Sequence, residues 1–172
     1  MADYEFRSLS PHDFEMLSRD LLQKPLGVRL ESFTAGRDSG IDFRYRRGDV
    51  ILIVQCKHYA ESGYEALARV LKAKERKKLD ALKPTRYILA TSVGLTPDRK
   101  KEILEILSPY CAETNDILGR DDLNVLERAD EIETERAEPE PDDDDEGRWS
   151  GDVVVDDVSG MFDGLQSDLK DT

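Results

Sequence analysis

The fold is decided by residues 41–57, whose sequence is IDFRYRRGDVILIVQCK. Apolar and polar side chains alternate strictly at the start of this stretch, which predicts a strand with Ile41, Phe43 and Tyr45 on one face. After a turn rich in Arg, Gly and Asp, residues 50–57 form an almost continuous apolar run, as expected for a strand in the middle of a sheet. The two runs together predict a β-hairpin.

The sequence on either side of the hairpin predicts an α/β domain. Ser10, Pro11 and Asp13 form a helix-capping pattern, so the first helix is expected from Pro11 to Gln23. Apolar spacing predicts the other elements, which are a weak strand over 28–33, a helix over 64–82, a strand over 86–91, a helix from Pro97 and a short strand near 116–118. This order corresponds to an α/β sandwich around a mixed central sheet.

The charge of the chain is very unevenly distributed. Residues 1–126 carry 21 Lys and Arg against 20 Asp and Glu, a net of +1, whereas residues 127–172 carry 4 against 18, a net of −14. The second part includes the run Asp142 to Asp145. Self-repulsion and a lack of apolar area keep such a segment disordered.

We therefore predict two parts, a folded domain at 1–128 and an acidic, largely disordered tail at 129–172. Near 153–170 the apolar residues are spaced three and four apart, which favours a short amphipathic helix that docks on a partner. Gly160 and Gly164 weaken this helix and favour a disordered terminus instead.

Membrane, secreted and disulfide-stabilised classes are excluded by the composition. The longest uncharged apolar run is Val50 to Val54, far below the ~18 residues of a membrane span. The first residues lack a basic stretch followed by an apolar one, so a secretory signal is not expected. Cys56 and Cys111 have no metal-type spacing. We expect a cytoplasmic protein without membrane contact.

Three polar side chains of the hairpin are predicted to converge. Gln55 and Lys57 are two residues apart and therefore share a face of their strand, and Asp42 lies across the hairpin. A lysine at the end of such an apolar strand needs a compensating charge. Asp42 is the predicted partner. The simplest alternative is that Asp42 and Lys57 form a structural salt bridge without catalysis.

The same residues suit metal-dependent phosphodiester chemistry. Asp42 offers hard oxygen ligation to Mg²⁺, and Gln55 adds an amide oxygen. Lys57 is suited to hold the attacking water or to balance charge on a scissile phosphate. Glu15 supplies a second carboxylate if the first helix lies beside the strand ends, and is otherwise a solvated helix residue.

Three short stretches in this order resemble a known family. They are Asp13-Phe14-Glu15, the glycine-rich segment at 36–42 and Val54 to Tyr59, which contains Gln55-Cys56-Lys57. Together they are similar to the Mrr-type restriction endonuclease domain, a branch of the PD-(D/E)XK nucleases in which glutamine replaces the second acid. The resemblance covers roughly residues 5–125.

This resemblance implies a restriction-endonuclease-like αβββαβ core and DNA cleavage that depends on Mg²⁺ or Mn²⁺. It implies Asp42, Gln55, Lys57 and Glu15 as catalytic residues, with Asp42, Glu15 and Gln55 as metal ligands. Asp38 matches an acid that is frequent in the glycine-rich segment of the family, and the resemblance implies an accessory role for it.

A second resemblance lies downstream, at residues 91–97 and 116–124. These segments are similar to the junction in antiviral STAND NTPases that carry an Mrr-like nuclease at the N-terminus. No G-x-x-x-x-G-K-S/T phosphate loop occurs, so this chain is not the NTPase. The resemblance implies an effector nuclease that defends against foreign DNA, with a separate sensor or NTPase protein as a candidate partner and a homodimer as one candidate assembly.

Basic residues predict the DNA-binding surface. Because they lack interleaved aromatic residues, duplex DNA is favoured over single strands. The candidate phosphate contacts are Arg69, Lys72, Arg76, Lys77 and Lys78 on the second helix, and Arg44 and Arg46 near the hairpin turn. A merely solvated helix face is the alternative. The acidic tail would compete with DNA for these side chains, unless it only confers solubility or docks a partner.

The function predicted from the sequence is a metal-dependent DNA endonuclease. The alternative is a catalytically silent DNA-binding or regulatory module that retains the nuclease fold.

Overall fold

The computed structural model describes residues 4–33 and 40–137. Three expectations lie outside the described residues: the accessory role of Asp38, the disorder of the acidic tail and the short helix near 153–170.

Five helices and five strands make up the described part of the chain. The helices are α1 (Pro11–Leu26), α2 (Gly63–Val70), α3 (Arg76–Leu82), α4 (Pro97–Leu107) and α5 (Arg120–Ala137). The strands are β1 (Glu31–Ser32), β2 (Phe43–Arg47), β3 (Val50–Lys57), β4 (Arg86–Thr91) and β5 (Ile117–Leu118). Short 3₁₀ turns at Phe6–Ser8 and Thr114–Asp116 and a π turn at Leu71–Glu75 complete the list.

The strands form one mixed sheet in the order β1-β2-β3-β4-β5. β1, β2 and β3 pair antiparallel, whereas β3, β4 and β5 pair parallel. The predicted hairpin is confirmed, with Phe43 opposite Val54. Helices cover both faces of the sheet, which confirms the α/β class. The parallel pairing sets the end of β3 beside the end of β4, with Lys57 opposite Thr91.

Two apolar clusters lie on opposite faces of the sheet because successive side chains of a strand point in opposite directions. Val54 and Cys56 pack toward Phe14 of α1, and Ile53 packs toward the cluster of α2, α3 and α4. Gln55 shares the face of Ile53 and is buried among these helices. A polar side chain thus reaches into a mostly apolar layer.

Ile41 lies on the other side of the sheet from Phe43 and Tyr45, which contradicts the predicted common face. Ile41 packs into the cluster of α2 to α4, and Phe43 into the cluster of α1 and α5. The reason is that β2 begins only at Phe43. The strict alternation of a strand does not apply to the residues before it.

Helix α1 begins as predicted. The Ser10 hydroxyl accepts a hydrogen bond from the Asp13 N–H (3.1 Å) and caps the first turn. The helix continues to Leu26 instead of ending at Gln23. Pro25 is accommodated in the last turn, and Gly27 then stops the helix with φ of 62°, a conformation that suits glycine.

Two predicted boundaries differ from the structure. The helix expected over 64–82 is interrupted at Leu71–Glu75, where one π turn separates α2 from α3. Helix α5 (Arg120–Ala137) runs through the predicted domain boundary at residue 128. Its first half packs on the core through Leu123, and its acidic second half continues the same helix. None of the described helices is long and apolar enough to cross a membrane.

Candidate active site

Asp42 and Gln55 meet at the end of the hairpin, as predicted. Asp42 immediately precedes β2, and Gln55 lies near the end of β3. The Gln55 amide donates to Asp42 Oδ2 (2.5 Å), and the backbone N–H of Cys56 donates to the same oxygen (2.7 Å). The carboxylate is therefore held in one orientation by two donors from the neighbouring strand.

The environment of Asp42 disfavours its charged form. Burial raises the pKa of Asp42 to about 6, and the negative charge of Glu15 adds to this rise. The Cys56 N–H and the charges of Lys57 and Lys78 act in the opposite direction. Glu15 of α1 therefore interacts electrostatically with Asp42. A cation bound here would relieve the unfavourable ionisation.

Lys57 does not pair with Asp42, which corrects the prediction from the sequence. Its ammonium lies 2.8 Å from Glu75 Oε1, and the Lys57 side chain is only 16% exposed. Glu75 comes from the π turn, on the opposite side of the sheet from α1. The expected salt bridge across the hairpin is thus replaced by an ion pair between β3 and a helix.

Glu75 is a buried carboxylate shared by two lysines, and the sequence reasoning missed it. Its side chain is 3% exposed and lies 3.0 Å from the Lys78 ammonium as well. The Tyr87 hydroxyl donates to Glu75 Oε2 (3.3 Å). Burial and then the charge of Glu75 raise the pKa of Tyr87 above its usual value, so that this hydroxyl stays protonated. Every oxygen of Glu75 is therefore matched by a donor.

Lys78 joins Glu75 to Gln55. Its ammonium donates to Gln55 Oε1 (3.3 Å) and to the carbonyl of Gly40 (2.5 Å). The Lys78 side chain is 19% exposed. A continuous network consequently runs from Asp42 through Gln55 and Lys78 to Glu75 and Lys57. Lys78, predicted to be a DNA contact on an open helix surface, is instead part of this network.

A signal for Glu75 existed in the sequence. Leu67, Leu71 and Glu75 are spaced four residues apart, so the glutamate falls on the apolar stripe of the second helix. A carboxylate on such a stripe needs a buried partner. The π turn, with its i→i+5 hydrogen bonding, is a feature often found at functional sites, and it carries Glu75 into the layer beside β3.

His58 links the beginning of α1 to the ends of β3 and β4 through hydrogen bonds. One ring nitrogen lies 3.0 Å from the Leu9 carbonyl oxygen, and the other lies 3.0 Å from the Ser92 hydroxyl. The ring is also stacked on Phe14, with 5.0 Å between the ring centroids. Glu15 follows Phe14 directly, so these contacts position the helix residue whose charge acts on Asp42.

Known proteins resemble this chain over the region that carries the network. A family model described as a restriction endonuclease, the Mrr catalytic domain, matches residues 6–105. The chain belongs to this family. It is also 48% identical over 126 residues to the uncharacterized protein y4cD of Sinorhizobium fredii (strain NBRC 101917 / NGR234), and the alignment covers 73% of the chain and 20% of that protein. The chain thus spans about one fifth of the length of this relative.

Domains of the Mrr type generally use divalent metals, and the donor set here fits such an ion. Asp42 and Glu15 would supply carboxylate oxygens, which together with water and phosphate oxygens are the ligands that a hard divalent cation prefers. Within residues 4–33 and 40–137, no three His, Cys, Asp or Glu side chains converge as a metal cluster. The predicted third ligand, Gln55, uses its amide N–H on Asp42 and its oxygen on Lys78. Its observed contacts therefore position Asp42.

The remaining predicted DNA contacts of this Mrr-type domain fall into two groups. Three side chains already have partners: Lys72 pairs with Glu102, Arg76 with Asp80 and two backbone carbonyls, and Arg44 with Glu31. The predicted DNA contacts of the second group are exposed and form no ion pair within the described residues, and they are Arg46, Arg69 and Lys77. These three are the candidates best placed to contact phosphates without first breaking a bond.

Proposed function

We propose that the chain is a metal-dependent endonuclease that hydrolyses phosphodiester bonds in double-stranded DNA. The observation that carries this proposal is the network that joins Asp42, Gln55 and Lys57 through Lys78 and Glu75. Burying two lysines and two carboxylates together is expensive, and apolar residues would stabilise the fold as well. A silent DNA-binding module gives no reason to keep such a group of charges, whereas a hydrolytic site does.

Each residue has a distinct part in the proposed reaction. Asp42 and Glu15 would hold Mg²⁺ or Mn²⁺, and the ion supplies polarisation of the phosphate and of a bound water. Gln55 keeps Asp42 in the orientation that presents its other oxygen to the ion. Lys57 would donate to the phosphate oxygen on which charge develops, and Glu75 holds the ammonium in place.

Nicking of supercoiled plasmid tests this function. We expect nicked and linear products with Mg²⁺ or Mn²⁺ and none with a chelator. Asp42→Asn should abolish cleavage because the neutral amide is a poor ligand for a hard cation. Asp20→Asn is the matched control, since Asp20 is 60% exposed and, among the residues that the structure describes, forms its ion pair with the neighbouring Arg19. Metal-independent cleavage, or equal cleavage by the Asp42→Asn variant, would contradict the proposal.

We further propose a role in defence against foreign DNA in the cytoplasm, with a separate sensor or NTPase protein as partner and a homodimer as the assembly to test first. The support is the likeness of residues 91–97 and 116–124 to the junction of antiviral STAND NTPases. Phage plating on cells that express the wild type or a Lys57→Met variant tests the role. Equal plating on both would rule it out.

A further inference from the structure

A polar pocket lies beyond the ends of the parallel strands β3 and β4. Its volume is about 680 Å³, within the range of roughly 300–1,000 Å³ typical of ligand sites. Tyr59 and Ser92 line it, and each comes shortly after the last residue of its strand. The Ser92 N–H donates to the Lys57 carbonyl (3.4 Å), so the pocket adjoins the candidate active site. None of Asp42, Gln55 and Lys57 lines it.

Three arginines line this pocket, namely Arg7, Arg99 and Arg120, together with one carboxylate, Glu5. Asp121 lies beside the pocket, 3.4 Å from the Arg120 side chain. Within the described residues Arg7 and Arg99 form no ion pair. Arg99 lies over the ring of Tyr64, 4.6 Å from its centroid, which holds the guanidinium at the wall of the pocket. The pocket therefore carries a net positive charge, and the guanidinium groups of Arg7 and Arg99 are available to bind an anion.

The backbone helps to hold Arg120 at the same wall. Its N–H donates to the Val93 carbonyl (3.0 Å). The side chain passes close to Gly94, where a Cβ atom would lie 3.1 Å from the Arg120 guanidinium. The absence of a side chain at residue 94 thus leaves room for this arginine.

Tyrosine rings complete the lining. Tyr4 is 37% exposed, and Tyr59 is half-buried with its backbone N–H donated to the Ser92 hydroxyl (2.9 Å). Guanidinium groups bind phosphate with two parallel hydrogen bonds, and aromatic rings stack on nucleobases. An acidic peptide would use the arginines but would leave the rings without a matching group.

From this combination we propose that the pocket binds a nucleotide, with the phosphate on Arg7, Arg99 and Arg120 and the base against a tyrosine ring. Such a nucleotide has two sources. It is either a free nucleotide, or one nucleotide of a DNA strand that also passes the candidate active site. The second source rests on the nuclease function proposed above, and the first does not.

Calorimetry with the full chain and deoxyadenosine monophosphate tests the free nucleotide. We expect binding that is tighter than that of inorganic phosphate and that weakens about ten-fold in Arg99→Gln, because one charge-assisted contact is lost. Arg29→Gln is the matched control, an exposed arginine outside the pocket. Arg7→Gln is a second variant that leaves the contact of Arg99 with Tyr64 intact. A thermal melt verifies that each variant is folded.

The second arm measures the affinity of an oligonucleotide by fluorescence anisotropy without metal. If the monophosphate does not bind but Arg99→Gln or Arg7→Gln weakens oligonucleotide binding about ten-fold relative to Arg29→Gln, the pocket holds a nucleotide of the strand. Equal affinities of all variants for both probes would overturn the proposal. Plasmid nicking by the wild type is scored separately, so failure of the pocket and failure of the nuclease function are distinguishable.

Discussion

Replacing Glu75 with glutamine removes the one carboxylate that both lysines of the network contact. Lys57 and Lys78 lie 2.8 and 3.0 Å from Glu75 Oε1 and are 16% and 19% exposed. Taking away one partner of a buried ion pair destabilises a protein by about 3–5 kcal/mol. Because both ammonium groups retain some contact with water, we expect the lower end, about 3 kcal/mol of unfolding free energy at pH 7.

Urea unfolding followed by circular dichroism measures this loss. Glu105→Gln is the matched control, since it is the same substitution at an exposed helical residue, and its effect should stay within about 0.5 kcal/mol. The double variant Glu75→Gln/Lys57→Met should lose less stability than the sum of the single variants, because only Lys78 is then left without a counter-charge. A Glu75→Gln variant as stable as the Glu105→Gln control would refute the assignment of Glu75 as the shared counter-ion.

Three further outcomes are expected. Mn²⁺ affinity, measured by calorimetry, should fall as the pH is lowered from 7 to 5. Burial raises the pKa of Asp42 to about 6, so protons compete with the ion for this carboxylate over that range. An affinity that does not change with pH would exclude Asp42 as a ligand. The Lys57→Met variant should cut plasmid DNA at least about a hundred-fold more slowly than the wild type, while its DNA affinity, measured by anisotropy, should change little. Cutting at the normal rate would mean that the ion pair of Lys57 with Glu75 has a structural role only. Residues 139–172 carry 12 Asp and Glu against 2 Lys and Arg, so their removal should tighten DNA binding at low salt, where charges are least screened. Equal DNA affinity of the full-length and the shortened protein would rule out competition by the tail.

The parts of the fold and site that the sequence predicted correctly are those encoded by local patterns. Alternation and the continuous apolar run identify β2 and β3, and the capping residues identify the start of α1. The meeting of Asp42 with Gln55 follows from the register of this hairpin, because the two residues are near neighbours across it. All of these are contacts within one supersecondary unit.

The parts that were missed depend on contacts between distant elements. The sequence offered Asp42 as the partner of Lys57, and only the packing of the π turn beside β3 shows that the partner is Glu75. In the sequence Lys78 resembles any lysine on a helix surface, and only the orientation of the helix in the fold shows that it contacts Gly40 and Gln55. A π turn is stabilised by the surrounding layer and has no simple sequence pattern, so periodicity continues the α-helix through it.

The π turn also makes the length of the helical segment between Gly63 and Leu82 matter to a single residue. Each residue of an α-helix turns the chain by about 100°. The π turn takes up one residue more than an α turn, so if the same residues formed ordinary α turns, every later side chain would shift by one position around the axis. Lys77 would then occupy the place of Lys78, and Lys78 that of the buried Leu79. The π turn therefore sets which of two neighbouring lysines, Lys77 or Lys78, reaches Glu75 and Gln55.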